Sequence, residues 1–193
     1  MEKDTTIKIL GLLFLLFGIA AIVNTSIQNG PENILWFCYF GLCLIGIGAL
    51  TKNSSLVKSQ LNILTIPLII WTVDFFSYFF LGHTLFNITS YFFEPFSLIS
   101  KTIALQHLFT IPLGILLLKK INKKAKLSWM ISLIQIIILF LLSRIFTNYE
   151  QNLNWAYHTS LDLSIPFYPL FWFASMILVI ILTDKTLKKL FQV

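Results

Sequence analysis

The chain has 193 residues, 57% of them hydrophobic and 11% charged, whereas a soluble domain of this length carries about 25% charged residues. This apolar excess, with nineteen Phe, excludes an ordinary soluble domain and points to an all-α polytopic membrane protein. The net charge of +6 does not call for a nucleic-acid partner, because the lysines gather at the ends of apolar segments and form no basic face.

Six apolar segments, at about 8–23, 34–50, 61–80, 102–118, 127–146 and 165–183, approach the length needed to cross a hydrocarbon layer of roughly 30 Å. Backbone groups cannot stay unpaired in lipid, so each segment is predicted to be a helix, and the bundle to form one domain, 1–193. Alternating strand patterns of the kind that build a barrel are absent from the sequence. In the first segment Lys3 and Lys8 precede the apolar run, but Glu2 and Asp4 dilute the basic stretch. No small-x-small cleavage pattern follows, so the segment reads as an uncleaved first helix. The second carries Cys38 and Cys43, whose spacing of five fits no metal-ligand pattern; they read as buried small hydrophobes.

The third segment contains Trp71-Thr72-Val73-Asp74 and Pro67, and the fourth Gln106-His107 and Pro112. Each Pro falls inside a helix, removes one backbone bond and favours a kink. The stretch between them, 81–101, is long and aromatic, which suits a segment lying in the interface or re-entering the membrane. The fifth connection, 147–164, holds Asn152-Leu153-Asn154-Trp155-Ala156-Tyr157-His158, and Pro166 after Ser164 reads as a helix start.

Twelve of the fourteen basic residues, all but Lys101 and Arg144, fall at the N-terminus, the second and fourth connections and the C-terminus. The positive-inside rule then puts both termini in the cytoplasm. In that topology Asp74 lies about 9 Å and His107 roughly 8 Å below the outer surface, at matching depth. Ionisable groups inside a membrane are costly, and by default they mark a functional site.

The resulting expectation is an outward-facing polar pocket lidded by the third and fifth connections. In it His107 would act as general base, Asp74 would orient it and Thr72 would be the candidate nucleophile. Asn154, Trp155, Tyr157, His158 and Arg144 would face substrate, with Glu150 and Asp162 nearby. The alternatives are that these groups only hydrogen-bond helices together, or that they line a path for a small solute. His83, His107, His158 and Asp74 are metal ligands by type, but no pair has the spacing of a zinc motif, so neither a metal nor a cofactor is expected.

The ordered motifs Trp71-Thr72-Val73-Asp74, Leu105-Gln106-His107 with Pro112, and Asn152-Leu153-Asn154-Trp155 resemble those of a group of prokaryotic multi-pass integral membrane proteins. The resemblance covers about residues 65–180 and implies a shared multi-helix fold without an established activity. Thr72 beside Asp74, and His107 five residues before Pro112, are also similar to the androgen-induced-gene-1 type of membrane hydrolases. That similarity implies cleavage of lipid esters by a Thr nucleophile and a His.

The functional expectation is therefore a plasma-membrane protein, prokaryotic by its Lys, Asn and Ile bias, acting on a lipid or small amphiphile as a hydrolase or acyltransferase. Its alternative is a small-solute transporter or a non-catalytic accessory protein. Membrane lipids are the expected partners.

Overall fold

The computed structural model describes residues 2–95, 97–161 and 163–191, which places Phe96 and Asp162 outside the described residues. Among those described the regular structure is all helical, without strands. Eight α-helices follow in order: α1 (Glu2–Asn29), α2 (Phe37–Leu50), α3 (Ser54–Leu81), α4 (Ser90–Phe93), α5 (Leu98–Ala104), α6 (Gln106–Ile121), α7 (Ser128–Phe146) and α8 (Tyr168–Phe191). Two short 3-10 turns, Pro31–Leu35 and Leu153–Trp155, sit in the connections.

Five stretches are long and apolar enough to cross a membrane: Lys3–Asn29, Ser54–Leu81, Leu98–Ile121, Ser128–Phe146 and Tyr168–Phe191. The second expected crossing is shorter. The helix there, α2, has 14 residues, or about 21 Å at 1.5 Å per residue. Large apolar side chains midway along the helices face outward, among them Leu16, Ile69, Ile134 and Leu178. Water would make such a surface unstable, whereas lipid matches it.

The hub is α3, which packs against α2, α6, α7 and α8, while α1 packs against α2, α5 and α6. On one side of α3 the core joins Phe14, Leu42, Ile45, Leu61, Leu117 and Leu187. On the other side it joins Leu64, Leu68, Ile136, Phe140 and Trp172. Contact between α1 and α2 is close because a small residue stands at the crossing: a Cβ on Gly46 would lie 2.7 Å from the Leu15 backbone nitrogen and 2.8 Å from the Gly11 carbonyl oxygen. Cys38 and Cys43, expected to be buried, are half-buried free thiols.

The helix bounds differ from the sequence reading mainly at α3 and α8. Helix α3 starts at Ser54, two turns before the expected 61, because Asn53 caps it by accepting a hydrogen bond from the Leu56 N–H at 3.1 Å. Helix α8 starts at Tyr168, beyond Pro166, and extends well past the expected 183. The fourth expected segment is divided at Leu105 into α5 and α6.

One end of the bundle gathers the N-terminal turn, the α2–α3 and α6–α7 connections and the C-terminal turn. Lys52 there pairs with Asp4 at 2.9 Å, and the Lys119 ammonium lies 4.6 Å above the Phe191 ring. The other end holds the remaining connections, where Gln151 donates to Glu32 at 2.8 Å. These are called the lysine-rich end and the loop end below.

Candidate functional site

At the loop end, α3 stops because Gly82 adopts a left-handed conformation (φ 74°) and donates its N–H to the Tyr78 carbonyl at 2.9 Å. The chain then turns back along α3 toward Asp74. Its carboxylate, fully buried, accepts hydrogen bonds from the Phe86 N–H, the Ile88 N–H at 2.9 Å, the Thr89 N–H at 2.8 Å and the Thr89 hydroxyl at 2.9 Å. Ser77, one turn on, donates to the Asp74 carbonyl and accepts from the Leu85 N–H. Four donors replace the water that a buried carboxylate loses. Asp74 is a clamp for the 83–89 segment.

His107 takes a different surrounding. Its ring lies 4.7 Å from that of Trp71, and its buried Nδ1 has no hydrogen-bond partner. The sequence leaves open whether Asp74 and His107 meet; they share no hydrogen bond, and the Asp74 oxygens accept from the loop. The third member, Thr72, donates its hydroxyl to the Leu68 carbonyl at 2.7 Å, inside its own helix. An aromatic cluster of Trp71, Phe75, Phe92 and Phe93 fills the space under the loop. Tyr91 belongs to this layer; burial pushes its hydroxyl up to about 12, against the Trp71 N–H that donates to it.

The Asn-Leu-Asn-Trp stretch also turns inward. Asn152, Asn154 and Trp155 all have positive φ, between 40° and 54°, a region that Asn tolerates better than most residues. Asn154 accepts from the Phe37 N–H at 2.9 Å and donates to the Leu35 carbonyl and the Ser143 hydroxyl. Asn152 accepts from the N–H groups of Tyr157 and His158. The Tyr157 hydroxyl donates to the carbonyls of Arg144 and Thr147. Arg144 donates to the Ala156 carbonyl at 3.3 Å and stands 4.3 Å over the Tyr157 ring. The His158 ring lies against Tyr149, at 4.5 Å, and the Trp155 carbonyl accepts from the Tyr168 hydroxyl at 2.8 Å. These groups, expected to face substrate, stitch the α1–α2 connection, α7 and α8 into one cap.

An apolar pocket of about 240 Å³ forms instead between α1, α2 and α5–α6, lined by Phe14, Phe17, Leu42, Leu105, Phe109 and Leu113, with Thr102, Gln106 and Thr110 as polar members. Gln106 is 5% exposed. Its carbonyl oxygen accepts from the Thr110 hydroxyl at 2.6 Å, while its amide nitrogen has no partner. Neighbouring in sequence, Gln106 and His107 are thus divided: one faces the α1 side, the other α3.

A polar cluster that the sequence reading missed lies at the lysine-rich end. Lys58 is completely buried and pairs with Asp184 at 3.3 Å; Asp184 also pairs with Lys188 at 2.6 Å. Asn62 and Ser128 donate to the same Asp184 oxygen at 3.5 and 3.4 Å. Beside this group the Gln60 and Gln135 amides exchange hydrogen bonds at 2.8 and 2.9 Å, and Ser132 donates to the Ser59 carbonyl. The signal was present as two polar stripes at helical spacing: Ser54, Lys58 and Asn62 on α3, and Ser128, Ser132 and Gln135 on α7. Among the described residues no group of three or more His, Cys, Asp or Glu is placed to hold a metal ion.

The length, apolarity and outward-facing apolar surface of these helices define a multi-pass helical membrane protein. Comparison with protein-family models, curated proteins and solved structures finds no match to this chain.

Proposed function

We propose that the protein is a six-crossing plasma-membrane protein with both termini in the cytoplasm, α2 being a short sixth crossing, and that it binds a lipid or similar neutral amphiphile in the pocket beside Gln106. The observation that carries this reading is the buried Gln106 amide nitrogen, without a partner, in a wall built mainly from Leu and Phe with Thr102 and Thr110 beside it. A buried donor left unpaired costs about 1–3 kcal/mol. A ligand with an apolar body and one acceptor oxygen, such as an ester carbonyl, fills the pocket and removes that cost once the Gln106 amide turns toward it. The test is Gln106→Leu, which keeps the volume and deletes the donor. Lipid extracted from the purified variant should lose the species that co-purifies with wild type, while the thermal midpoint holds or rises. Equal occupancy in both proteins would sink the reading.

A second reading, a lipid-ester hydrolase or acyltransferase, is favoured by the unpartnered Nδ1 of His107. With Asp74 and Thr72 engaged elsewhere, His107 would have to activate water or an acceptor hydroxyl by itself. Unchanged lipid profiles of host membranes expressing wild type and His107→Ala at matched abundance would remove it.

A further inference from the structure

The groove between α7 and α8 carries an observation independent of the Gln106 pocket. It has a volume of about 320 Å³ and is lined by Trp129 and Leu133 of α7 and by Ile177, Ile180, Ile181, Asp184, Lys185 and Lys188 of α8. Its lining is sorted along its length. Ile177, Ile180, Ile181 and Leu133 form the part nearer the middle of the helices, with Ile177 and Ile181 exposed on the outer face, and Trp129, Asp184, Lys185 and Lys188 form the part at the lysine-rich end. From Ile177 to Lys188 the groove follows α8 for about 16 Å at 1.5 Å per residue, of which the apolar part from Ile177 to Ile181 takes about 6 Å, enough for a short stretch of an acyl chain. Charge at its mouth is unbalanced. The one carboxylate, Asp184, already serves Lys58 at 3.3 Å and Lys188 at 2.6 Å, and Lys185 adds a further ammonium at the rim. Among the described residues the lining therefore holds two ammonium groups, Lys185 and Lys188, and one carboxylate, Asp184.

We infer that this groove is a binding site for an anionic phospholipid of the leaflet at the lysine-rich end. Its phosphate would sit at Lys185 and Lys188, its glycerol level against Trp129, and one acyl chain along Leu133, Ile177 and Ile181. Each part follows from the lining: ammonium groups for phosphate, an indole for the water–hydrocarbon boundary, and branched aliphatic residues for the chain. Asp184 lines the same mouth, and its pairing with Lys58 and Lys188 offsets its repulsion of the phosphate.

The test uses the full chain in a neutral detergent, titrated with phosphatidylglycerol, with phosphatidylcholine and with inorganic phosphate, reading the thermal midpoint. At about a hundredfold excess over the dissociation constant, phosphatidylglycerol should raise the midpoint by about 5–10 °C, and the other two should not. Lys185→Gln/Lys188→Gln should lose the shift. Because Lys188 also pairs with Asp184, Ile177→Trp serves as a second variant, filling the groove with all charges kept; it should lose the shift too. Lys123→Gln/Lys124→Gln, in the α6–α7 connection, should retain it. An equal shift with phosphatidylcholine or free phosphate, a shift surviving Ile177→Trp, or one lost on neutralising Lys123 and Lys124, would overturn the assignment.

Discussion

Asp74 illustrates how one side chain decides the path of a loop. Its two oxygens accept three backbone N–H groups and a hydroxyl from the 86–89 segment. An amide in its place turns at least one acceptor into a donor and sets N–H against N–H in either orientation. Asp74→Asn should therefore destabilise the protein by about 2–4 kcal/mol, since orphaned buried donors cost about 1–3 kcal/mol each. It should also open the bond after Phe86 to chymotrypsin. Thermal unfolding and timed proteolysis in detergent read both. A variant as stable and as resistant as wild type would show that the carboxylate is not the clamp, and would return it to the catalytic reading, in which Asn is tolerated but turnover is lost. The sequence marked Asp74 correctly as a residue needing explanation, through the cost of its burial. What it could not supply was the partner, because the donors are backbone groups that carry no signature of residue type.

At the scale of elements, α1 and α2 depend on close approach. The nearest neighbours of a Cβ on Gly46 are backbone atoms, at 2.7 and 2.8 Å, which cannot rotate aside as a side-chain tip would. Gly46→Ala should force the two helices apart and cost about 1–3 kcal/mol, the usual range for overpacking. The measurement is the midpoint of thermal unfolding. A shift within error would mean that the pair tolerates separation. Helix ends were less legible than helix centres. The start of α3 was hidden by its polar first turns, Ser54 to Gln60, which read as a connection; only the Asn53 cap tells against that. The Gln106-His107 pair shows the converse limit, since neighbours in sequence on a helix point about 100° apart and here end in separate surroundings.

Over the whole molecule, the Lys58–Asp184 pair joins α3 to α8, and Ser128 brings in α7. Asp184→Leu deprives a completely buried ammonium of its carboxylate and should cost about 3–5 kcal/mol. The double variant Lys58→Met/Asp184→Leu removes both charges and should recover most of that loss, because well-packed apolar groups often replace a buried ion pair without penalty. Comparing the unfolding midpoints of Asp184→Leu and the double variant decides this. A double variant no better than Asp184→Leu would mean that hydrogen bonds from Asn62 and Ser128, not charge pairing, carry the cluster.

By itself the sequence determined the class of protein: long apolar runs with few charges must be helices surrounded by lipid, since the bilayer satisfies no backbone group. It also determined where lysines gather, because each stands at the end of an apolar run or beside it. The tertiary structure decided which polar groups meet. Lys58 and Asp184 are 126 positions apart and become partners only when α8 packs on α3. Asp74 and His107, expected from the sequence at matching depth, share no hydrogen bond; backbone of the 86–89 segment meets the acid. Depth follows from counting residues along a helix, but partnership depends on rotation about the helix axis and on which neighbour packs there.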